Sequence, residues 1–221
     1  MILLSILQCL KIHFQYNFQS LLDDDNNDHS NNFEWCDTDK GQYIESQGKS
    51  LKFIGTEDTQ KSMIRTTKPI PKGKFYFEST IRSLGSSFIA IGLTTHVPKS
   101  SSIQLPGKIR KTIGIEIGSK YSLLYYDGKC YDYINLMQEI GITAIKGVVG
   151  CRVESFTSDE IRYRMCNFTL NGIPIGGPYY LEDIELFPAI TMSSCGAVLD
   201  INFGKLEFAH DQTGIEHILY I

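Results

Sequence analysis

From residue 50 onward, apolar and polar positions alternate one by one within short segments that turn-forming residues separate. Within residues 74–82, Phe75 and Phe77 share one face, and Glu78 falls on the other. A two-residue period is typical of β-strands, because successive side chains of a strand point to opposite sides. The pattern therefore predicts strands over residues 50–54, 62–66, 74–82, 87–93, 112–117, 121–126, 129–133, 147–153, 161–170, 173–175, 186–192 and 197–203.

Two dipeptides mark tight turns between these strands. Asp127-Gly128 and Asn171-Gly172 each separate two predicted strands, and both residue pairs tolerate the positive φ angles of a two-residue hairpin. No segment after residue 40 has the length, caps and 3.6-residue period of a long helix. We therefore expect an all-β fold of two packed antiparallel sheets. Its core should contain the inward-facing side chains of Phe75, Phe77, Ile81, Ile89, Ile91, Leu93, Val149, Cys151, Phe168, Leu170, Leu199, Ile201 and Phe203.

The first 40 residues differ from the rest of the chain. They contain no Gly or Pro, and their seven acidic and two basic residues give a net charge of −5, whereas the whole chain has −4. Residues 1–10 are apolar but lack the basic start and cleavage site of a signal peptide. Residues 23–32 are rich in Asp and Asn, which predicts a solvated linker. We predict an irregular extension and acidic linker over 1–32, one β-sandwich domain over 33–210, and a tail over 211–221.

Charge and residue spacing bear on several functional classes. A net charge of −4 and a pI near 5.7 favour neither nucleic acid nor anionic membrane as a partner. The acidic linker has part of the spacing of a calcium-binding loop, but Asp28 stands where that loop needs glycine. The six cysteines form no C-x-x-C pair, so we expect reduced thiols and no metal site. Without a phosphate-binding loop or nucleophile elbow, we expect neither a cofactor nor catalysis.

At this point the order of the segments resembles a known family, the SPRY domains. The resemblance covers residues 69–204 and rests on Pro69-Ile70-Pro71, Phe75–Ile81, Ile89–Leu93, Gly147–Cys151, Phe168–Gly172, Phe187–Ala189 and Ile201–Gly204. It implies a bent two-sheet β-sandwich, a concanavalin-like jelly roll, that serves protein–protein interaction without catalytic chemistry of its own. One departure is Pro106-Gly107-Lys108, which lacks the tryptophan of the family's "PGW"; the chain's one tryptophan, Trp35, lies upstream.

In a sandwich, recognition commonly falls to loops at one end of the sheets. Residues 94–111 carry four bases and no acid, residues 127–133 add tyrosines, and residues 154–164 contribute Phe156 and two arginines. Arginine and tyrosine are enriched among residues that dominate binding energies. The predicted partner-binding residues are Lys108, Arg110, Lys111, Tyr126, Asp127, Tyr131 and Tyr133.

The predicted ligand is an acidic or polar peptide or loop of a partner protein. The predicted role is a non-catalytic interaction module, cytoplasmic or nucleocytoplasmic, for which the family resemblance suggests an adaptor or scaffold in ubiquitin ligation or signalling. A lectin-like sandwich that stacks carbohydrate on tyrosines is the alternative, and an enzyme is the least favoured class.

Overall fold

Thirteen strands form two antiparallel sheets in the computed structural model, which describes residues 33–95, 105–118, 122–132, 147–158 and 160–210. No helix occurs in these ranges. The strands are β1 (Ile44–Gln47), β2 (Ser50–Phe53), β3 (Ser62–Arg65), β4 (Lys74–Ser83), β5 (Phe88–Thr94), β6 (Ile113–Gly118), β7 (Ser122–Tyr126), β8 (Lys129–Asp132), β9 (Gly147–Ser158), β10 (Ile161–Leu170), β11 (Ile173–Glu182), β12 (Phe187–Ser193) and β13 (Val198–Asn202).

The seven-stranded sheet has the order β1-β2-β13-β4-β9-β10-β11, and the six-stranded sheet has the order β3-β12-β5-β6-β7-β8. Both sheets pair only antiparallel neighbours. The predicted all-β, two-sheet antiparallel sandwich is therefore confirmed. The predicted extension over 1–32 and tail over 211–221 lie outside the described residues, so those domain boundaries remain predictions.

The two predicted hairpin turns adopt the left-handed backbone that their residues allow. Asp127 and Gly128 have φ angles of 50° and 79°, and Asn171 and Gly172 have the same two values. Sequence alternation missed β1, which is only four residues long and presents a single fully buried position, Ile44. It also ended the strand that begins at residue 147 too early, because β9 continues to Ser158 and pairs with β10 from Ile161.

Strand β11 forms one edge of the seven-stranded sheet and pairs only with β10. Its register shifts opposite Asn167, where Gly176, Gly177 and Pro178 bulge from the ladder. Pro174 is a second residue of this strand without a backbone N–H group. The edge strand is thus irregular over its middle third.

The core lies between the two sheets and contains every side chain that the sequence predicted to be buried. Sequence analysis began the predicted domain at residue 33 but named no core residue before β1. There Phe33 packs 4.8 Å from Phe75 between ring centroids, and Trp35 forms a β-bridge with Thr66. The described fold therefore includes residues 33–40, whose charge resembles that of the preceding linker but whose aromatic residues belong to the core.

The cysteines that the structure describes are free thiols. Cys151 and Cys166 lie on adjacent strands with 3.7 Å between their sulfur atoms, and both are fully buried. Burial raises the pKa of the Cys151 thiol, and its contact with Cys166 adds to that effect. These two residues therefore behave as small apolar side chains.

We expect Ile91→Ala to lower the free energy of unfolding by about 2–5 kcal/mol, because Ile91 is fully buried in the core between the sheets. The matched control is Ile161→Ala, since Ile161 is 55% exposed at the start of β10, and its substitution should cost less than about 1 kcal/mol. Urea denaturation followed by tryptophan fluorescence measures both. Equal losses in the two variants would contradict the core assignment.

Candidate functional site

The described parts of the two predicted loops meet at one end of the six-stranded sheet. We call this surface the loop end and define it as residues 106–111 and 126–131. The N–H of Gly128 donates to the carbonyl of Gly107 at 2.9 Å, and the N–H of Lys111 donates to Asp127 Oδ1 at 2.8 Å. The N–H of Asp127 donates to the carbonyl of Thr112 at 3.0 Å. The described parts of these two loops are therefore held side by side.

The loop end has a tightly constrained backbone. Lys111 has a φ angle of 62° and Gly107 one of 86°, both in the left-handed region. A Cβ atom on Gly107 would lie 2.1 Å from the carbonyl oxygen of Tyr125, so only glycine fits there without displacement of the backbone. This contact gives the Pro106-Gly107 dipeptide a physical role even though Lys108 replaces the tryptophan of the family motif.

Lys108 is directed to the outer face of the six-stranded sheet. Its ammonium group lies 4.3 Å from the centroid of the Tyr125 ring and 3.8 Å from Glu116 Oε2. Glu116 is buried, so the cation offsets part of the cost of desolvating that carboxylate. Burial, and then the Glu116 carboxylate, raise the pKa of Tyr125. Lys108 therefore stabilises Glu116 and Tyr125 on the outer face, in addition to any contact it makes with a partner.

Lys111 and Tyr126 connect the two sheets. Lys111 Nζ lies 2.6 Å from Glu182 Oε2, and Glu182 belongs to β11 of the other sheet. The Tyr126 hydroxyl donates to the carbonyl of Tyr180, and the Tyr126 ring packs 5.3 Å from that of Tyr179. Burial, followed by the nearby Asp127 carboxylate, raises the pKa of Tyr126. Sequence analysis missed these β11 partners because it ended the strand at Ile175, before the aromatic residues that continue it.

The remaining predicted site residues divide into two groups. Arg110 is exposed, and no ion pair or hydrogen bond of its side chain is found among the described residues. Tyr131 is 39% exposed and close enough to Tyr126 to influence the titration of its hydroxyl. Tyr133 lies outside the described residues. Arg110 and Tyr131 are therefore the two predicted residues whose side chains are most available to a partner.

The third predicted loop, residues 154–164, is mostly strand, because residues 154–158 end β9 and residues 161–164 begin β10. The expectation of a loop is wrong for residues 154–158, whereas a strand from residue 161 was predicted. Arg164 is buried and contacts Asp183 through Nε at 3.0 Å, and it donates to the carbonyls of Ile70 and Pro71. This arginine holds the hairpin to the neighbouring loop and is not a free contact residue. Phe156 lies on the outer face, where its ring centroid is 5.6 Å from that of Tyr163 and 5.7 Å from that of Tyr180.

Two carboxylates on the outer face of the seven-stranded sheet, those of Glu78 and Asp200, have partners within the domain. Arg82 donates to Asp200 at 2.9 Å, whereas Glu78 accepts from the Tyr76 hydroxyl and from backbone N–H groups. In the part of the chain that the structure describes, no three His, Cys, Asp or Glu residues are grouped to hold a metal ion. No helix in those residues is long and apolar enough to cross a membrane.

Several curated proteins are similar to this chain, although no profile of a known protein family matches it. Ran-binding protein 9 of Xenopus tropicalis is 30% identical over 187 residues, which are 80% of this chain and 31% of that protein. The human Ran-binding protein 9 is 29% identical over 80% of this chain and 23% of its own length. A Drosophila melanogaster homologue of Ran-binding proteins 9/10 is 29% identical over 167 residues, 74% of this chain and 16% of that protein. The chain thus spans less than a third of the curated relatives it matches.

Solved structures share the fold. A human SPRY domain superposes with a TM-score of 0.54 and 23% identity, covering 75% of this chain and 98% of that domain. The PSpry domain of TRIM65 superposes with a TM-score of 0.52 and 9% identity, covering 77% of this chain and 89% of its own. The fold implied by the sequence motifs is confirmed.

We expect Asp127→Ala to lower the free energy of unfolding by about 1–2 kcal/mol, because it removes the acceptor of the Lys111 N–H and places alanine at a φ of 50°. Asp127→Asn keeps an acceptor oxygen and a residue that tolerates this backbone, so its loss should be smaller. Thermal unfolding of both variants tests the difference. A wild-type stability for Asp127→Ala would show that this bond does not organise the loop end.

Proposed function

Because this chain carries a domain of the SPRY family, we propose that it is a non-catalytic protein-interaction module whose loop end binds a peptide or loop of a partner protein. The observation that supports this proposal most directly is the pair of available side chains, Arg110 and Tyr131, on a hydrogen-bonded framework. Hydrogen bonds hold residues 107–111 against residues 127–128, so binding would order few additional residues in this part of the loop end.

The chemistry of the loop end favours an acidic or polar segment. Lys108 lies near Glu116, and Lys111 lies near Glu182. Part of the positive charge of both lysines is therefore compensated within the domain. Arg110 has no such partner among the described residues, and its planar guanidinium can donate two parallel hydrogen bonds to a carboxylate. Tyr131 has an exposed apolar ring and few rotatable bonds, so it can cover the contact between Arg110 and a carboxylate with apolar surface at little cost in entropy.

The wider role is a proposal as well. The curated relatives are named Ran-binding proteins, which supports a protein as the partner of this chain. We propose that the domain serves as an adaptor or scaffold, with ubiquitin ligation or signalling in the cytoplasm or nucleus as its setting. Affinity capture with the full chain, followed by mass spectrometry, identifies the partner on which this role depends.

With a captured partner, Arg110→Glu should slow association and weaken binding by at least ten-fold at low salt, because it reverses an exposed charge of the loop end that has no ion pair among the described residues. The control is Lys52→Glu, which makes the same change of charge at an exposed position of β2, away from the loop end. Surface plasmon resonance at low and high salt measures both variants. Equal kinetics for Arg110→Glu, Lys52→Glu and the wild type would place the binding surface elsewhere.

Tyr131→Ala should mainly accelerate dissociation, with a loss on the order of 1–2 kcal/mol if the ring is central to the contact. Tyr131→Phe is the matched control, since it keeps the ring and removes only the hydroxyl. The same resonance experiment gives both dissociation rates. A normal dissociation rate for Tyr131→Ala, in a variant with wild-type thermal stability, would argue against a contact at this position.

A further inference from the structure

The segment after β13 crosses the outer face of the seven-stranded sheet. We call residues 204–210 the strap. The side chain of Asn202 fixes its first turn: Nδ2 donates to the carbonyls of Leu206 and Glu207, and Oδ1 accepts from the N–H groups of Gly204 and Leu206. This turn directs the chain from the edge of β13 over the neighbouring strand β4.

The strap ends on a buried carboxylate. Glu78 is only 2% exposed although it lies on the outer face of β4. Its Oε2 accepts the N–H of Ala209 at 2.7 Å, and its Oε1 accepts the N–H of His210 at 3.3 Å and the Tyr76 hydroxyl at 2.9 Å. No cationic side chain pairs with Glu78 within the described residues. A buried carboxylate is costly unless hydrogen bonds replace its water, and here the strap supplies two of the three.

The ring of Tyr76 forms the aromatic part of the site beneath the strap. The Phe208 ring meets the Tyr76 ring edge-on, with 4.7 Å between centroids and 77° between planes. Tyr76 has room to lie across β9 because Gly150 has no side chain: a Cβ there would come within 2.3 Å of the Tyr76 hydroxyl and 2.4 Å of Thr169 Oγ1. The site therefore combines an aromatic ring, an acceptor for two successive N–H groups, and a glycine that creates the space.

The strap is attached by few contacts. Leu206 is 54% exposed, and Lys205, Glu207 and Ala209 are exposed as well. Beyond the first turn, which Asn202 holds, its attachment to the sheet consists mainly of the two bonds to Glu78, the single ring contact, and the His210 side chain beside Gly172. If the strap departs, water reaches Glu78, so no uncompensated charge remains buried. Segments with so few buried contacts open at much lower free energy than the core.

We propose that the Tyr76–Glu78 site is a peptide-binding site which the chain's own Phe208–His210 segment fills, and that a partner segment of the same chemistry displaces it. The partner segment is extended and carries an aromatic side chain followed by two residues with free backbone N–H groups. Proline at either of those two residues would remove a donor that Glu78 needs, so it should be excluded. This site lies on a sheet face and is independent of the proposed loop end.

The test uses the full chain and a fluorescein-labelled, acetylated peptide with the sequence of residues 204–212. Ala209→Pro in the protein removes one donor to Glu78 and should leave the site partly vacant. Fluorescence polarisation should then show at least ten-fold tighter peptide binding than to the wild type. Phe208→Ala is a second variant that loosens the strap by its other contact, and it should have the same effect.

Matched peptides test the chemistry without any further change to the protein. Peptides that carry Ala209→Pro or Phe208→Ala should bind the loosened chain at least ten-fold more weakly than the native sequence. Arg110→Glu, added to Ala209→Pro, should leave peptide binding unchanged, so failure at the loop end and failure here are distinguishable. In the wild type, the peptide should accelerate hydrogen exchange at the Ala209 and His210 amides.

Two results would overturn the proposal. One is the absence of peptide binding to both strap variants when their circular dichroism and thermal unfolding match the wild type. The other is equal binding of the native and proline-substituted peptides, because the Glu78 carboxylate would then not be the acceptor.

Discussion

The centroid of the Phe203 ring lies 5.3 Å from that of Phe33, 5.4 Å from that of Trp35 and 5.8 Å from that of Phe77. These contacts join the end of β13 to β4 and to the segment before β1, three stretches that are distant in sequence. Aromatic pairs at such separations add specific ring contacts to the burial of apolar area. Since side chains alternate along a strand, an inward Phe203 requires an outward Asn202, which starts the strap. The position of the strap on the outer face thus follows from the packing of the core.

Much of the fold was predictable because both sheets have one face in the core. Alternation and the two hairpin dipeptides were sufficient to locate most strands, since a shift by one residue would expose every inward side chain. Strand β1 was missed because a four-residue strand with one fully buried position gives too short a pattern. The full length of β11 was missed because its glycines and prolines interrupt the alternation at the register shift.

The candidate surfaces were less predictable than the fold because their contacts join residues far apart in the chain. Lys111 and Glu182 are separated by 71 positions, so no local pattern indicates that the charge of this lysine is compensated. Glu78 and Ala209 are separated by 131 positions, and the donors are backbone groups, which have no residue signature at all. The types of side chain indicated which loops could bind a partner. The contacts of each side chain, in contrast, depend on the tertiary fold.

The irregular edge strand β11 has a consequence for how copies of the protein behave at high concentration. A regular edge offers a row of unpaired N–H and C=O groups on which a second chain can add a strand, and such addition is a common start of aggregation. Pro174 and Pro178 interrupt that row, and the glycine bulge between them bends the strand. Growth by strand addition is therefore blocked along the middle of this edge. One of the longest edge strands of the described fold is therefore protected from pairing with copies of the protein.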